Sequence, residues 1–419
     1  MPTAKMESGL RNHRVEFVRE ETDDDANPVT PEDPDFLSYS DVVRSFDWQP
    51  EPNYEAQRGF GHVYPHNHFT GSEEHQVTLT YDLQKFPVDA SGDPLDAVAD
   101  GLLRDDDGFM PHTHTVLDRE DKGTVAPAST VNGDEPRATR LYTIVKGAAI
   151  DEPQIIGDPG EQQPVRVELT YEAESGRSYQ IDQPNEGTTL DLEIVDGPGG
   201  ESVDVTIEDE GAEEAEVLEV SGASATSENT YEDIDTIELA EEIQGDVHVS
   251  ETGGVLLAVI HGSDYYDGAE GDLGVPALGE GSREGALETP FQLFLGNEFL
   301  RERGGTLQRF AMDINSFAVG CENNTERTMR TDSKRQRIHH GIATPYVEAT
   351  VLGETETHDS LTEAMGNEAG DVQWVMSGGT VTVADAVLAE PGSRAIEAEE
   401  ATMTMDNTFH GENLTISAN

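Results

Sequence analysis

Alternation of apolar and polar residues is the main regular pattern along the chain. In the stretch VRVELTY, Val165, Val167, Leu169 and Tyr171 are separated by single polar residues, and VTLTYDL (Val77–Leu83) has the same period. A period of two predicts half-buried β-strands. The pattern therefore predicts an all-β fold with a minor helical content.

Two short segments carry helix signals instead. In DPLDAVADGLLR, Asp93 is placed as an N-cap and Pro94 stands at the first helical position. The second segment, DSLTEAMGN, begins at Asp359 and stops near Gly366. Both combinations are typical of short helices with defined ends.

The pattern in the middle of the chain predicts a separate small β-domain. Between Ile181 and Ser263, six alternating stretches follow one another with turn residues between them: TTLDLEIV, VDVTIED, AEVLEVSG, DTIELAE, GDVHVS and GVLLAVIHG. Strands at this spacing fit an immunoglobulin-like sandwich. The glycine-rich stretch that follows, Asp267–Gly285, is predicted to be a flexible connector.

The two regions that flank this domain share an order of features. Ser45 opens SFDWQPEPNYE and Ser316 opens SFAVGCENNTE, and the alternating strands begin at Val77 and Val347. A helix signal and a Pro-Gly turn before a further strand follow in both. The order predicts a duplicated unit, although the low residue identity leaves a chance alignment of two β-rich stretches open.

The last shared features lie closer together in sequence than the first ones. Pro159 aligns with Pro391, an offset of 391 − 159 = 232, whereas Val77 and Val347 are 270 apart. At the offset of 232, Thr170 falls on Thr402. The first copy is then longer by about 38 residues, which we place in a polar loop at Asp105–Arg137. The predicted domains are an N-terminal arm (1–16), a first unit (17–180), the immunoglobulin-like domain (181–263), a linker (264–285) and a second unit (286–419).

Acidic residues dominate the charge of the whole chain. Asp and Glu number 86 against 25 Lys and Arg, a net charge of −61, and no basic residue lies between Arg177 and Arg283. Such a surface favours a protein that works in molar salt, where charge repulsion is screened. A disordered acidic chain is the alternative, and the many regular strands argue against it.

Other sequence features bear on export, membrane insertion and disulfide formation. The N-terminal stretch has no signal-peptide pattern, and the longest purely apolar run, VLLAVI, is far too short to span a bilayer. We therefore expect a soluble protein without a membrane partner. Cys321 is the only cysteine, so an intramolecular disulfide is impossible.

Two histidine motifs are the candidate metal-binding sites. The motifs HNH (His66 and His68) and HTH (His112 and His114) would suit a metal, but no third ligand is evident and both stand in predicted loops. The sequence has no nucleophile elbow, phosphate loop or dinucleotide fingerprint. We expect no enzyme activity, cofactor or metal, and a His-dependent metalloenzyme remains an alternative. Asn323 and Asn413 open glycosylation sequons.

The sharpest local feature is the basic run RTMRTDSKRQRIHHG, Arg327–Gly341. Nucleic acid is one possible partner for such a patch. The rest of the chain is so acidic that another copy of this protein is the favoured partner, because a basic loop on an acidic surface fixes the register between subunits.

The segment FVREETDDDANPVTPEDPDFLSYSDVVRSFDW, Phe17–Trp48, resembles the N-terminal part of the major tail tube proteins of long-tailed viruses. The stretch Ser316–Leu352 resembles the same unit, and the region 181–263 resembles the immunoglobulin-like domains attached to such proteins. The acidity suggests a virus of haloarchaea.

This resemblance implies a function and partners. β-Sandwich units would join into rings that stack into a tube for genome delivery, with tape-measure and tail terminator or tip proteins as partners and viral DNA passing without specific binding. The resemblance implies six units in a ring, so a chain with two units would form the ring as a homotrimer. A haloarchaeal surface or adhesin protein is the alternative. The long loops would join successive rings through Arg58, His62, His66, His68, Arg327, Arg330, Lys334, Arg335 and Arg337.

Overall fold

The structure, a computed structural model, describes most of the chain. The described residues are 13–22, 28–29, 37–38, 43–57, 67–83, 96–104, 112–125, 137–157, 165–184, 187–195, 197, 200–209, 215–221, 224–241, 243–261, 273–275, 298–303, 305–309, 314–329, 336–352, 369–376, 379–391 and 404–418. Nearly all of them lie in antiparallel strands, which confirms the predicted all-β class.

The elements fall into three groups. The first group is β1 (His13–Arg19), β2 (Glu21–Thr22), β3 (Pro28–Val29), β4 (Leu37–Ser38), β5 (Val43–Gln57), β6 (Asn67–Asp82), α1 (Ala97–Leu102), β7 (His114–Val125), β8 (Arg137–Gly157), β9 (Arg166–Ala173) and β10 (Ser175–Asp182). The second is β11 (Leu190–Val195), β12 (Ser202–Asp209), β13 (Glu216–Ser221), β14 (Ala225–Thr226), β15 (Ile234–Leu239), β16 (Asp246–Glu251), β17 (Leu256–Ile260) and β18 (Leu273–Val275). The third is β19 (Glu298–Arg303), β20 (Thr306–Arg309), β21 (Ile314–Glu322), β22 (Glu326–Met329), β23 (Gln336–His339), β24 (Thr344–Leu352), β25 (Gly370–Met376), β26 (Gly379–Pro391), β27 (Thr404–His410) and β28 (Asn413–Ala418).

The first and third groups follow one pairing scheme, and we call them the first and second repeats. In the first repeat β1 pairs with β4 and β7, β7 with β8, β8 with β9 and β10, β9 with β6, and β6 with β5. In the second repeat β19 pairs with β20 and β25, β25 with β26, β26 with β27 and β28, β27 with β24, and β24 with β21. Eight strands of one repeat therefore have a counterpart in the other.

The registers agree residue by residue. Val77 lies opposite Tyr171 in the first repeat, and Val347 lies opposite Phe409 in the second. The register of β5 on β6 shifts between Val43 and Ser45, and that of β21 on β24 shifts at the same place, before Ser316. Loop lengths therefore differ between the repeats while the paired strands keep their register.

A backbone irregularity also recurs at one position. Gly147 in β8 has φ +59° and Asp385 in β26 has φ +48°. Each lies where its strand bulges against its partner, β7 or β25. Asp is one of the few residues other than glycine that adopt this conformation, and here the Asp371 carboxylate accepts the Asp385 N–H at 3.1 Å.

The pairing corrects the last part of the sequence alignment. Pro153 lies opposite Leu169, and Pro391 lies opposite Asn407. The offset is therefore 391 − 153 = 238 and not 232, so Thr170 corresponds to Thr408. The sequence alone favours Pro159 as the match of Pro391 because both precede a glycine and Pro-Gly pairs recur in this chain. Pro159 and Thr402 lie outside the described residues.

The length difference between the repeats is also smaller and differently placed. Val77 and Val347 are 270 apart, whereas Val145 and Val383, in equivalent positions on β8 and β26, are 238 apart. The first repeat is therefore longer by 270 − 238 = 32 residues over this stretch, not about 38.

The predicted loop at Asp105–Arg137 contains strand β7. The sequence hid this strand because several of its buried residues are polar. His114, Asp118 and Arg119 are buried and have polar partners.

The helix prediction is correct in place but not in its cap. Asp96, not Asp93, caps α1: its carboxylate accepts the Val98 N–H at 3.1 Å. The six-residue helix is buried along its whole length. Asp93 and the predicted second helix from Asp359 lie outside the described residues.

The second group, β11–β18, forms a two-sheet sandwich that we call the insert. Its sheets have the orders β14-β11-β16-β17 and β13-β12-β15-β18, and all six stretches named from the sequence coincide with strands. Both orders differ from the ABED and CFG sheets of immunoglobulin domains. β18 lies inside the predicted linker and pairs with β15, while β10, which reaches Asp182, pairs with β8 of the first repeat.

Two buried apolar clusters stabilise the chain. One cluster spans both repeats and includes Val77, Leu79 and Tyr171 of the first and Trp374 and Phe409 of the second. The other fills the insert and continues into the outward face of the first repeat. Among the described residues, no helix is long and apolar enough to cross a bilayer.

Candidate assembly surfaces

The two repeats meet through a strand pair. Residues 154–157 of β8 pair antiparallel with Phe317–Gly320 of β21, so one sheet continues from the first repeat into the second. The approach is close: a Cβ on Gly157 would lie 2.2 Å from the Phe317 ring, and one on Gly320 would lie 2.5 Å from the Tyr346 hydroxyl. We call this contact the internal junction.

Asn323, just after β21, locks the internal junction. Its side chain is buried, and Nδ2 donates to the carbonyl oxygens of Gly101 (3.1 Å) and Ile150 (2.7 Å). Oδ1 accepts from the Arg104 guanidinium. Both amide hydrogens are therefore used, and the sequon at Asn323 is closed to glycosylation in the folded chain. Asn413, which opens the other sequon, is exposed.

The β22–β23 hairpin adds further contacts across the junction. The backbone N–H and hydroxyl of Thr325 both donate to Asp151 Oδ1, at 2.9 and 2.8 Å. Arg327 donates to the Glu172 carboxylate and to the His75 carbonyl, the latter at 2.8 Å. The base of the second repeat's hairpin therefore lies on the first repeat.

An acidic cavity of about 410 Å³ surrounds Arg327, and its lining includes Glu51, Glu74, Asp151 and Glu172. Burial lowers the pKa of the Arg327 guanidinium, while the carboxylates of Glu74, Glu51 and Asp151 oppose that shift. This arginine therefore serves a contact within the chain.

Replacement of Asn323 by Ala should lower the free energy of unfolding by roughly 1–3 kcal/mol, because buried carbonyl groups and Arg104 lose hydrogen-bond partners. Asn413→Ala is the matched control, since Asn413 is exposed and surface substitutions usually change stability by less than about 0.5 kcal/mol. Denaturant unfolding of both variants in molar salt measures the difference. Equal stability of the two variants would show that the lock contributes nothing.

The insert docks on the outward face of the first repeat through buried charges. Asp235 Oδ1 accepts from Arg119 at 2.8 Å and from Arg140 at 3.5 Å. The side chains of Arg119 and Arg140 are only 3% and 7% exposed. The Tyr142 hydroxyl donates to the Asp235 carbonyl at 3.1 Å, and burial together with the Asp235 carboxylate raises its pKa, so the hydroxyl stays protonated.

Apolar side chains surround this charged contact. Leu117, Tyr142, Ile144 and Tyr179 of the first repeat belong to the same buried cluster as the core of the insert. We call these four residues the docking patch. From the shared registers, the corresponding residues of the second repeat are Gln373, Thr380, Thr382 and Ser417. The second repeat therefore has a polar outward face where the first has an apolar one.

The structure describes only part of the predicted loop contacts. Arg337 is half-buried in β23, and Arg327 is bound within the chain as described. The backbone of His68 lies in β6, but its side chain is outside the described set. Arg58, His62, His66, Arg330, Lys334 and Arg335 lie outside the described residues. Contacts between rings thus stay a prediction.

The HTH motif has a different environment from the one expected. His114 is not in a loop: it begins β7, is fully buried, and its Nε2 lies 2.9 Å from Asp100 Oδ2. Arg19 donates to the same carboxylate at 2.8 and 2.6 Å. Among the described residues, no group of three His, Cys, Asp or Glu side chains is placed to hold a metal ion.

No protein-family model matches the sequence, and no curated protein matches it. One solved structure with some likeness is the virion of a native gene transfer agent particle, at 8% identity and a TM-score of 0.25, covering 29% of this chain and 95% of that one. Another is the anti-feeding prophage cap, described as a tube terminating cap, at 15% identity and a TM-score of 0.24, covering 32% of this chain and 95% of that one. Scores this low carry no argument about function.

Proposed function

We propose that the chain is the structural subunit of a viral tail tube, assembled as stacked rings in the tail of a long-tailed virus of haloarchaea. The observation that carries the proposal is the internal junction, in which a sheet runs from one repeat into an equivalent one. A repeat that pairs edge to edge with its own equivalent can extend by the same step, and closing such a series removes its free strand edges.

The domain arrangement fits this role. The repeats are the two tube units, joined in one chain, and the insert is an added domain on the outward face of the first. Each chain supplies two units, so three chains supply six, and the ring is a homotrimer with approximate sixfold symmetry.

One face of the shared sheet suits the wall of a conduit. Alternate residues on β6, β9, β24 and β27 turn away from the core, and they are mostly acidic or hydroxyl-bearing: Gln76, Thr78, Thr80, Glu168, Thr170, Glu172, Glu348, Thr350, Asp406 and Thr408. Arg166 and Arg327 also lie against this face, but they pair with Glu168 at 3.0 Å and with the Glu172 carboxylate. Such a face would repel DNA phosphates and let the genome pass unbound.

Electron microscopy of the purified protein in molar salt tests the proposal. We expect rings or tubes with three chains per ring, and therefore three insert densities around the axis at each level. Six chains per ring would overturn the trimer, and a protein that stays monomeric at every concentration and salt level would overturn the tube. Binding of tape-measure or terminator proteins is a later test that needs assembled tubes.

A further inference from the structure

A fully buried carboxylate lies beside the docking patch on the outward face of the first repeat. Glu16 in β1 stands opposite Leu117, and its side chain is 0% exposed. Its Oε1 accepts from the Arg14 guanidinium at 3.0 Å, whereas its Oε2 has no hydrogen-bond partner among the described residues. Arg14 is 37% exposed, so its own charge is partly solvated. Glu16 is therefore buried with only one of its two oxygens bonded.

The insert covers this part of the face. Val18 lies on the same side of β1 as Glu16, and both Val18 and Leu117 belong to the buried cluster that contains the core of the insert. The Asp235 carboxylate of the insert is close enough to influence the charge of Glu16. Undocking of the insert would therefore let water reach the Glu16 carboxyl group.

The second repeat has a different residue at this position. The registers of β1 on β7 and of β19 on β25 place Leu300 where the first repeat has Glu16. In the docking patch the first repeat is apolar where the second is polar, and Glu16 reverses that trend. Leucine would pack against the apolar insert better than a carboxylate does, so packing alone does not explain Glu16.

We propose that the protonation state of Glu16 controls how firmly the insert docks, with the protonated carboxyl group favouring the docked insert and the ionised one favouring its release. A buried charge with incomplete pairing costs far more free energy than the buried neutral acid. In the undocked chain the ionised group would be hydrated instead. This inference concerns the single chain, so it goes beyond the proposed tube and holds whether or not rings form.

The groups around Glu16 act in both directions. Burial raises the pKa of the Glu16 carboxyl group from its usual 4.5 to about 7, Arg14 on β1 and Arg119 on β7 oppose this shift, and Asp235 of the insert adds to it. Ser38, opposite Glu16 on β4, is not titratable. The charged groups at the docking contact pair with one another: Arg119, Arg140, Asp121, Asp233 and Asp235.

Docking should be tightest in acid. Below pH 4.5 the Glu16 carboxyl group is protonated in both the docked and the undocked chain, and its full contribution to docking is present. That contribution is lost as the pH rises through about 7, because ionisation is easier in the undocked chain. Between pH 5 and pH 8 the docking equilibrium should change by on the order of 100-fold.

Hydrogen exchange of the full chain in molar salt tests this control. The reporter is Ile234 of the insert, whose N–H donates to Gln183 Oε1 at 2.6 Å and whose carbonyl accepts from Arg140 at 2.9 Å. The reference is Val167, which is buried in the core of the repeats. After correction for the intrinsic pH dependence of exchange, protection at Ile234 should fall by roughly 100-fold from pH 5 to pH 8, and protection at Val167 should change much less.

Two neutral variants and one control complete the experiment. Glu16→Gln removes the ionisable group with little change in shape, so protection at Ile234 should stay high at pH 8 and become independent of pH. Glu16→Leu, which introduces the residue of the second repeat, should do the same. Glu298→Gln is the matched control, because Glu298 is an exposed carboxylate on β19, and it should keep the wild-type pH dependence.

Three results would overturn the inference. The first is protection at Ile234 that does not depend on pH in the wild-type chain. The second is a pH dependence that persists unchanged in the Glu16 variants. The third is a parallel loss at Ile234 and Val167, which would mean that pH acts on the whole fold and not on the docking of the insert.

Discussion

Deletion of residues 187–275, which removes the insert, is expected to make the rest of the chain aggregate. The deletion uncovers the docking patch, Leu117, Tyr142, Ile144 and Tyr179, all of which are buried in the intact chain. Exposing four large apolar side chains costs roughly 6–12 kcal/mol of burial free energy, and a contiguous apolar patch of this kind promotes association.

The second repeat shows which polar residues could replace the docking patch. Its outward face has Gln373, Thr380, Thr382 and Ser417 in the positions of the docking patch. The deletion variant that also carries Leu117→Gln, Tyr142→Thr, Ile144→Thr and Tyr179→Ser should therefore be soluble and should still form rings.

Sedimentation and light scattering in molar salt distinguish the two deletion variants. The full-length chain with the same four substitutions is the control, and it should remain soluble while the insert becomes more sensitive to proteases. A soluble, monodisperse deletion variant without the four substitutions would show that the docking patch is not what holds the insert.

Replacement of Asp235 by Ala should lower the free energy of unfolding by up to about 3 kcal/mol, because two buried arginines lose one charged acceptor while Asp121 and Asp233 still pair with them. The carboxylate accepts from two arginines that are almost completely buried, Arg119 and Arg140. Molar salt screens exposed pairs far more than buried ones, so the loss should persist when unfolding is measured in molar salt.

Asp233→Ala is the matched control for this effect. Asp233 pairs with Arg140 at 2.9 Å, but its side chain is 50% exposed, and exposed pairs contribute about 0–1 kcal/mol. Thermal unfolding of both variants gives the comparison. Similar losses for the two would mean that burial at Asp235 does not strengthen the contact.

Strand periodicity was the most informative signal in the sequence. β6 and β9 alternate buried and half-exposed residues as predicted, because each has one face on the core and one polar face. The same reasoning missed β7, since His114 and Arg119 are buried polar residues whose partners include Asp100 and Asp235 in other elements. A sequence does not distinguish a polar residue that is buried against a partner from one that is exposed to solvent.

The candidate surfaces were harder to predict for a related reason. Arg327 was grouped with a basic loop, but its carboxylate partner, Glu172, is 155 positions away. The docking patch combines β7, β8 and β10, and it becomes visible only once these strands are side by side. The order of features in the two repeats could be recognised from the sequence. The alignment of the last strands was wrong by six residues, because a short Pro-Gly turn motif does not determine the register of the strands beside it.

The shared bulge at Gly147 and Asp385 limits how the two halves of the gene can exchange sequence. An aspartate copied to position 147 by gene conversion would place its Cβ 2.7 Å from Glu174 Cγ, where no side chain fits. A glutamine copied from position 49 to the equivalent Gly320 would collide with Tyr346 in the same way. A sequence exchange that carried either residue from one half to the other would therefore destabilise the fold at these two positions, although both halves keep one strand scheme.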